Sequence, residues 1–441
     1  SPGDKSMNMH GWGRYPVVEA EVYAPHTERE IKNLLLELPD SAFTPRGLGR
    51  SYGDSSLGER MISSRWLNHM LRFDHQTGVL HCEAGVSLGE ILEVFVPQGW
   101  FLPVTPGTQY VTIGGAIASD VHGKNHHVAG CFCEHVEYIN IVLDAERILR
   151  CSPGEHADLF YATCGGMGLT GFIYSAAIRL QPIKNSFIDQ TTFKASNLEE
   201  SLDLFTIHQD KPFSVAWIDC ISKGNSLGRS LLMTGDHAQE GTLTCNKKKP
   251  LALPFDMPSM LLNRYSIQAF NTLYYNRIRA RSVSDHIHYE SFFYPLDGIG
   301  EWNRMYGKNG FTQYQFVIPK EAGREGMTAI MKSIVESGKG SFLAVLKAFG
   351  KQNKNLLSFP MEGYTLALDF KIEKDLFPLL ERLDGMVLSY GGRIYMTKDS
   401  RMKADTIRKS YAGLERFEVI RNRYAVNKRF LSHQSRRLGV N

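Results

Sequence analysis

No stretch of this 441-residue chain holds the run of about 18 apolar residues that a membrane-crossing helix needs. Ser1 to His10 lacks both the charged start and the apolar core of a signal peptide, so the sequence reading expects no export signal. The seven cysteines (Cys82, Cys131, Cys133, Cys151, Cys164, Cys220, Cys245) are odd in number and scattered, with no C-x-x-C. That disfavours a disulfide framework and a zinc ribbon, and a reducing compartment is the simpler expectation. Charge of one sign is also scarce: 50 Lys plus Arg against 46 Asp plus Glu leave a net +4. Nucleic acid as the main partner is therefore not expected, whereas a small anionic cofactor or substrate stays open.

What is present suits an ordinary globular protein of two or three domains, with 43% hydrophobic and 22% charged residues. Glycine is abundant, 40 residues in all, and concentrated in three early clusters: RGLGRSYGD (46–54), PGTQYVTIGGAIASDVHGKNHHVAG (106–130) and GGMGLTG (165–171). Between them Gly78–Ala84 and Val136–Leu143 read as strands. Glu28–Leu38 carries a helical apolar stripe, and Ser87-Leu88-Gly89-Glu90 is a capping box that opens a helix through Val94. Beyond Pro182 strand-like runs (213–218, 313–318, 364–370) alternate with helix-like ones (323–338, 375–386), so a second α+β region is expected there. Its least ordered part should be 236–276, where Lys247-Lys248-Lys249-Pro250 leads into Leu251-Ala252-Leu253-Pro254.

The motifs differ in specificity. Gly166-x-Gly168-x-x-Gly171 matches the dinucleotide fingerprint formally, but a helix-like run precedes it and a strand-like run follows, the reverse of what that site needs. Arg46–Asp54 can aim consecutive backbone N–H groups and two guanidiniums at a pyrophosphate, and a tight surface turn fits it equally well. Pro106-Gly107-Thr108 and Ile113-Gly114-Gly115-Ala116-Ile117-Ala118 would let a phosphate or ring lie close to the backbone. Asp120-Val121-His122-Gly123-Lys124-Asn125-His126-His127 places three histidines and a lysine beside them. Adjacent histidines bind one metal poorly and no H-E-x-x-H is present, so no metal is expected; a polar loop remains open, and a catalytic loop beside a cofactor is the stronger reading.

The order of these three glycine-rich stretches resembles the vanillyl-alcohol-oxidase and p-cresol-methylhydroxylase superfamily of FAD enzymes. Within it, later blocks are similar to the branch acting on polyprenyl-phosphate-linked pentoses: AWID (216–219), YPLD (294–297), EWNR (301–304), GFTQYQFVIP (310–319), LLSFP (356–360) and GGRIYMTKDSR (391–401). The resemblance runs from Gly11 almost to the last residue. It implies an α+β, two-domain FAD fold: the main FAD part at 7–182, an inserted substrate domain on an antiparallel sheet at 183–391, and a segment at 392–441 returning to the FAD domain. FAD contacts would come from Arg46, Gly47, Leu48, Gly49, Arg50, Ser51 and Tyr52; from Pro106, Gly107 and Thr108; from Ile113, Gly114, Gly115, Ala118 and Ser119; from His122, Gly123 and Asn125; and from Gly168, Gly171, Ile173 and Tyr395. Relatives often tether the flavin through a histidine in the first loop; Arg50-Ser51-Tyr52-Gly53 has none, so FAD is expected to be noncovalent.

Alcohol oxidation by a flavin needs a base and a group that stabilises charge near the reduced ring. The resemblance implies His122, Lys124 and Lys398 for this work, with Tyr52 nearby. Gln313, Gln315 and Lys347 would supply polar substrate contacts, and Trp217, Phe293, Leu296, Leu343 and Phe349 an apolar wall. Ala367 stands where the family pattern has a cysteine, with Thr365 as its polar neighbour; Phe293 replaces a tyrosine and Val215 a serine. These departures bear on the identity of the sugar and lipid. The implied reaction is oxidation of the 2′-hydroxyl of a polyprenyl-phosphate-linked ribose to a keto sugar, the first half of a ribose-to-arabinose epimerisation that a separate NAD(P)H-dependent short-chain reductase completes. Such a substrate suggests a protein that is cytoplasmic, or peripheral at the inner membrane face, or facing the periplasm, and Lys247–Lys249 with the apolar residues after them could rest on a bilayer; an idle loop fits that stretch as well. A soluble aldonolactone or alditol oxidase and a flavin-binding protein without turnover are the competing readings.

Overall fold

The computed structural model describes residues 6–245, 263–298, 308–341 and 343–441. The basic stretch Lys247–Lys249, the residues to Leu262, and the block Glu301–Arg304 lie outside these.

The first part of the chain builds two small sheets and a two-stranded ribbon of Trp100–Phe101 with Gln181–Pro182. Val18–Tyr23, Arg60–Ser63 and Thr44–Arg46 pair in parallel, with Ser6–Met9 antiparallel at the edge. A five-stranded antiparallel sheet runs Met70–Asp74, Val79–Glu83, Phe172–Arg179, Val136–Val142, Ile148–Cys151. Helix Glu28–Glu37 buries Ile31, Leu34 and Leu35, the stripe its sequence shows. Ser87 and Glu90 make the reciprocal cap that starts helix Leu88–Phe95.

The second part is an eight-stranded antiparallel sheet, in the order Ser282–His288, Phe187–Ala195, Ser230–His237, Phe213–Ile218, Ala344–Phe349, Gly363–Lys371, Phe311–Pro319, Arg393–Ile394. Helices Leu198–Ile207, Gly323–Ser337 and Leu376–Ser389 back one face through a shared core that includes Leu202, Ile330, Leu383 and Leu346. The other face is turned to the first part of the chain. Where the sequence suggests least order, the structure has strand Ser230–His237 running to its end and a helix at Arg264–Asn276, with Asn263 accepting from Tyr265 N and Ser266 N as its N-cap. That cap and the Tyr275 packing that follows it were masked in the sequence by the basic and proline-containing run just before.

Arg393–Ile394 still belong to the large sheet, and Ile407 and Leu414 share its helix-backed core with Leu383, but the end of the chain also clasps the first part. Phe43 bridges Phe430, Arg429 donates to the carbonyls of Leu35 and Leu38, and Arg437 forks between Asp54 and Asp399 at 2.9 Å each. Gly53 sits at this seam, where a Cβ would come within 1.8 Å of the Asp399 carbonyl oxygen. Only glycine permits so close an approach of two backbones.

Candidate functional site

Between the two parts lies a cavity of about 800 Å³, at the upper end of the size range of small-molecule sites. One wall comes from the three glycine-rich stretches. Arg46 to Tyr52 forms a loop whose entry is fixed by the pairing of Thr44–Arg46 with Arg60–Ser63, and whose exit is held by the Tyr52 N–H donating to the Thr397 carbonyl. Helix Ile113–Ala118 starts at Thr112, whose hydroxyl accepts from Gly115 N, and its first turn is strapped to Val86 and Ala84. Gly165 and Met167 donate to the carbonyls of Ile117 and Ala118. The lining therefore gathers Gly47 to Ser51, Pro106 to Thr108, Gly114, Gly115, Ala118, Ser119, Gly168, Gly171 and Ile173, stretches that are far apart in sequence.

The opposite wall is the free face of the large sheet. Its register sets Gln315 against Ala367 and Gln313 against Asp369, and places Lys347 beside Thr365. Trp217, Phe293, Leu296, Leu343, Ala367, Tyr395 and Lys398 also reach the cavity. Five expected site residues stand behind the lining. Ile113 is fully buried in the core of the first part. Gly123 packs against the Thr105 backbone, and Asn125 donates to the Pro103 carbonyl at 2.9 Å, so both hold the loop rather than face the space. Phe349 meets the His122 ring edge-on at 4.8 Å. Thr365 lies under Gln315.

The histidine loop is fastened at many points. Lys124 accepts at its carbonyl from Ser214 N, and its ammonium donates to the Phe292 carbonyl. His126 Nδ1 accepts from Gly350 N at 3.0 Å. Asp120 has a positive φ of 44°; its Oδ2 accepts from Asn353, Asn355 and Ser358 at 2.9, 2.8 and 2.6 Å, and its Oδ1 from Cys133 N at 3.0 Å. Asp120, Cys131 and Glu134 are the one cluster among the described residues close enough to hold a metal, within 4.8 Å of one another. The lone pairs of Asp120 are spent on this network, and Glu134 accepts from Cys131 N, so the cluster reads as a hydrogen-bonded seam.

His122 is buried, and burial, then Lys347, His126 and Lys398, push its pKa well below the ordinary value. Its Nδ1 is buried without a partner among the described residues. Burial lowers Lys124 to about 7, with Lys347 adding to the effect, and lowers Lys347 to about 8. Lys398 falls to about 7 by burial, which Asp369 opposes and Lys347 and Arg50 reinforce. Its ammonium stands 4.2 Å from the Tyr52 ring centroid. Tyr52 itself is held protonated by burial and the nearby Asp369.

Two acids escape the motif reading. Asp297 accepts from Thr108 Oγ1 at 2.8 Å and Gln109 N at 2.9 Å and lies 3.9 Å from Arg50; the block YPLD contains it. Asp369 accepts from Gln313 at 2.7 Å, and alternation along its strand with Thr365 and Ala367 was the available signal.

An FAD binding domain model matches residues 20–152, the stretch that supplies two of the three glycine-rich walls. Decaprenylphosphoryl-β-D-ribose oxidase of Mycolicibacterium smegmatis is 36% identical over 454 residues, covering 98% of this chain and 97% of that one. The chain belongs to the decaprenylphosphoryl-β-D-ribose oxidase family. It is an FAD-dependent oxidoreductase with the α+β fold of the vanillyl-alcohol-oxidase type. A Streptomyces coelicolor protein named for the mprA 5′ region is 27% identical over 80% of this chain and all of its own length. Human Delta(24)-sterol reductase is 26% identical over 57% of this chain and 46% of its own. Like the oxidase family at large, the site must hold a dinucleotide, and its residues fit one. A Cβ added at Gly107 would meet nothing within 4 Å, and Arg46 and Arg50 are both buried enough for their pKa values to fall. Partly buried guanidiniums beside an open glycine backbone match a pyrophosphate.

Proposed function

We propose that this chain oxidises the 2′-hydroxyl of a polyprenyl-phosphate-linked ribose to a keto sugar. The observation that carries the reading is a cavity in which the glycine-rich walls face three lysines of lowered pKa and one neutral histidine. Overall likeness to an oxidase of that substrate supports it. In this reading residues 7–182 with 392–441 hold FAD, and 183–391 present the sugar. Arg46, Arg50 and the loops at 47–52, 106–108 and 114–119 bind the diphosphate, while Gly168, Gly171, Ile173 and Tyr395 shape the rest of its bed.

Bound FAD supplies the two-electron acceptor. The residues do the proton work and the positioning. Gln315 donates to Thr365 Oγ1 at 3.2 Å while Thr365 donates to the Phe316 carbonyl at 2.8 Å, so the amide nitrogen faces inward. That nitrogen therefore also donates to His122 Nε2, at 3.2 Å. The neutral ring then carries its proton on Nδ1, so neither ring nitrogen is free to accept one. Such a ring cannot be the base, and the role passes to Lys398: near pH 7 its Nζ exists partly as free amine and can accept the hydroxyl proton. Lys124 and Lys347 would hold the anionic part of the substrate.

Support for noncovalent FAD is that the described lining contains one imidazole, His122, and no cysteine. The keto product requires a separate NAD(P)H-dependent short-chain reductase to finish the inversion. No described helix is long and apolar enough to cross a membrane; a position at the inner membrane face follows from the substrate. The test is anaerobic bleaching of the flavin. Prenyl-phospho-ribose should bleach it and free sugars should not. Bleaching by free aldonolactones or alditols would replace this reading with a soluble sugar oxidase, and no bleaching at all would leave a flavin-binding protein without turnover.

A further inference from the structure

The lining changes character in one direction across the large sheet. Ala367 lies opposite Gln315 on one side and Val345 on the other. Val345 is opposite Trp217, and Val215 is opposite Met233. Because side chains alternate along each strand, Gln313, Gln315, Asp369 and Lys347 share a face with Val215, Trp217 and Met233. All seven line the cavity. The strands Phe311–Pro319 and Gly363–Lys371 thus supply its hydrogen-bonding end, Lys347 marks the boundary, and the strands Phe213–Ile218 and Ser230–His237 supply an apolar strip.

Past Met233 the lining passes to helix Arg264–Asn276, through Phe270 and Tyr274. Arg277 follows, its guanidinium 4.3 Å over the Tyr274 ring. On the same helix, next to Tyr274, Leu273 is 74% exposed. A free pentose needs no such extension, since it has no apolar group to place there. An amphiphile with a polar head and a long hydrocarbon chain uses both ends.

We infer that Val215, Trp217, Met233, Phe270 and Tyr274 form a subsite for the isoprenoid chain of the substrate, which leaves the protein beside Arg277. This rests on the function proposed above. From the Ala367 strand to the Met233 strand is three inter-strand steps, about 14 Å, so only the first isoprene units touch the protein and those beyond the rim add nothing.

The experiment uses the FAD-loaded protein and ribosyl phosphates esterified with methyl, dimethylallyl, geranyl, farnesyl and geranylgeranyl groups. KM for flavin reduction should fall with each added unit, by about tenfold or more in total, and level off by farnesyl. Met233→Glu, which sets a carboxylate in the strip, and Tyr274→Ser, at the half-exposed rim, should each shrink the methyl-to-farnesyl KM ratio at least several-fold. A KM independent of chain length in the wild type, or a ratio unchanged in both variants, overturns the subsite. Farnesyl phosphate without ribose gives a reading that needs no turnover: it should quench tryptophan emission, and Trp217→Phe should abolish the quench. If no ribosyl phosphate bleaches the flavin but the quench is present, the proposed reaction fails and the chain subsite stands; absence of the quench overturns the subsite whatever the kinetics.

Discussion

Gln315 and His122, 193 residues apart in sequence, meet through Nε2 of each at 3.2 Å. Thr365 beneath the amide fixes which way that contact runs. Gln315→Glu would place an acceptor carboxylate against the ring, drawing the imidazole proton to Nε2 and raising the His122 pKa from its depressed position. Flavin reduction should slow by about 10²-fold, in line with the loss of one well-placed donor. Nitrogen chemical shifts of the His122 ring would report the tautomer directly; an unchanged tautomer in the variant contradicts the assignment.

Lys398 gives the site its expected pH dependence. Its pKa of about 7 lies below the ordinary lysine value, so the amine gains a proton as pH falls through 7 and loses its capacity to accept another. The rate of flavin reduction should rise with pH across that range. Lys398→Met should lower it by about 10²- to 10⁴-fold and remove the titration from the rate at saturating substrate, leaving Lys124, also near 7, to act through KM. Lys398→Arg keeps the charge but cannot act as base near neutral pH, so substantial activity in that variant would return Lys398 to a purely electrostatic part.

Arg50 stacks 3.5 Å over Trp12, reaches Thr108 at 3.3 Å and lies close to Asp297. Arg50→Gln should weaken FAD binding by about ten- to a hundredfold, the worth of one charge-assisted contact to a phosphate, measured by titrating apoprotein with FAD. Acid denaturation of the holoprotein should release all of the flavin into the supernatant.

Asp120 anchors the histidine loop to residues 353–358 through three accepted hydrogen bonds and to Cys133 N through a fourth. Asp120→Ala strands the buried donors Cys133 N and Ser358 Oγ and frees the partly buried Asn353 and Asn355, and should cost about 3 kcal/mol of stability, read from denaturant unfolding. Asp120→Gly relieves the positive φ yet loses the same bonds, so it should recover only a fraction of that cost.

Much of this architecture is written locally. The Ser87–Glu90 cap, the Ile31-Leu34-Leu35 stripe and the alternation from Phe311 to Pro319 each declare their element within a few residues. The glycine-rich loops are equally legible, because backbone approach to a large ligand demands that composition. Strand order is another matter: nothing near Gln315 points to His122, and Asp369 acquires its place only when its strand is set between two others. Asn125 and Gly123 show the converse. Lying in a chemically rich motif, they serve its shape, which side-chain type alone does not distinguish. The helix at 264–276 was obscured by its neighbours, since composition averaged over 236–276 hides one good cap and a buried Tyr275.

The clasp between the ends of the chain has a bearing on synthesis. Arg429 reaches back 394 residues to the Leu35 carbonyl, and Arg437 reaches back 383 residues to Asp54. An emerging polypeptide cannot make either connection until the ribosome has translated the whole intervening sequence. Until then the nucleotide bed lacks its closing seam, and the nascent chain should depend on chaperones or on its own large sheet to stay out of aggregates.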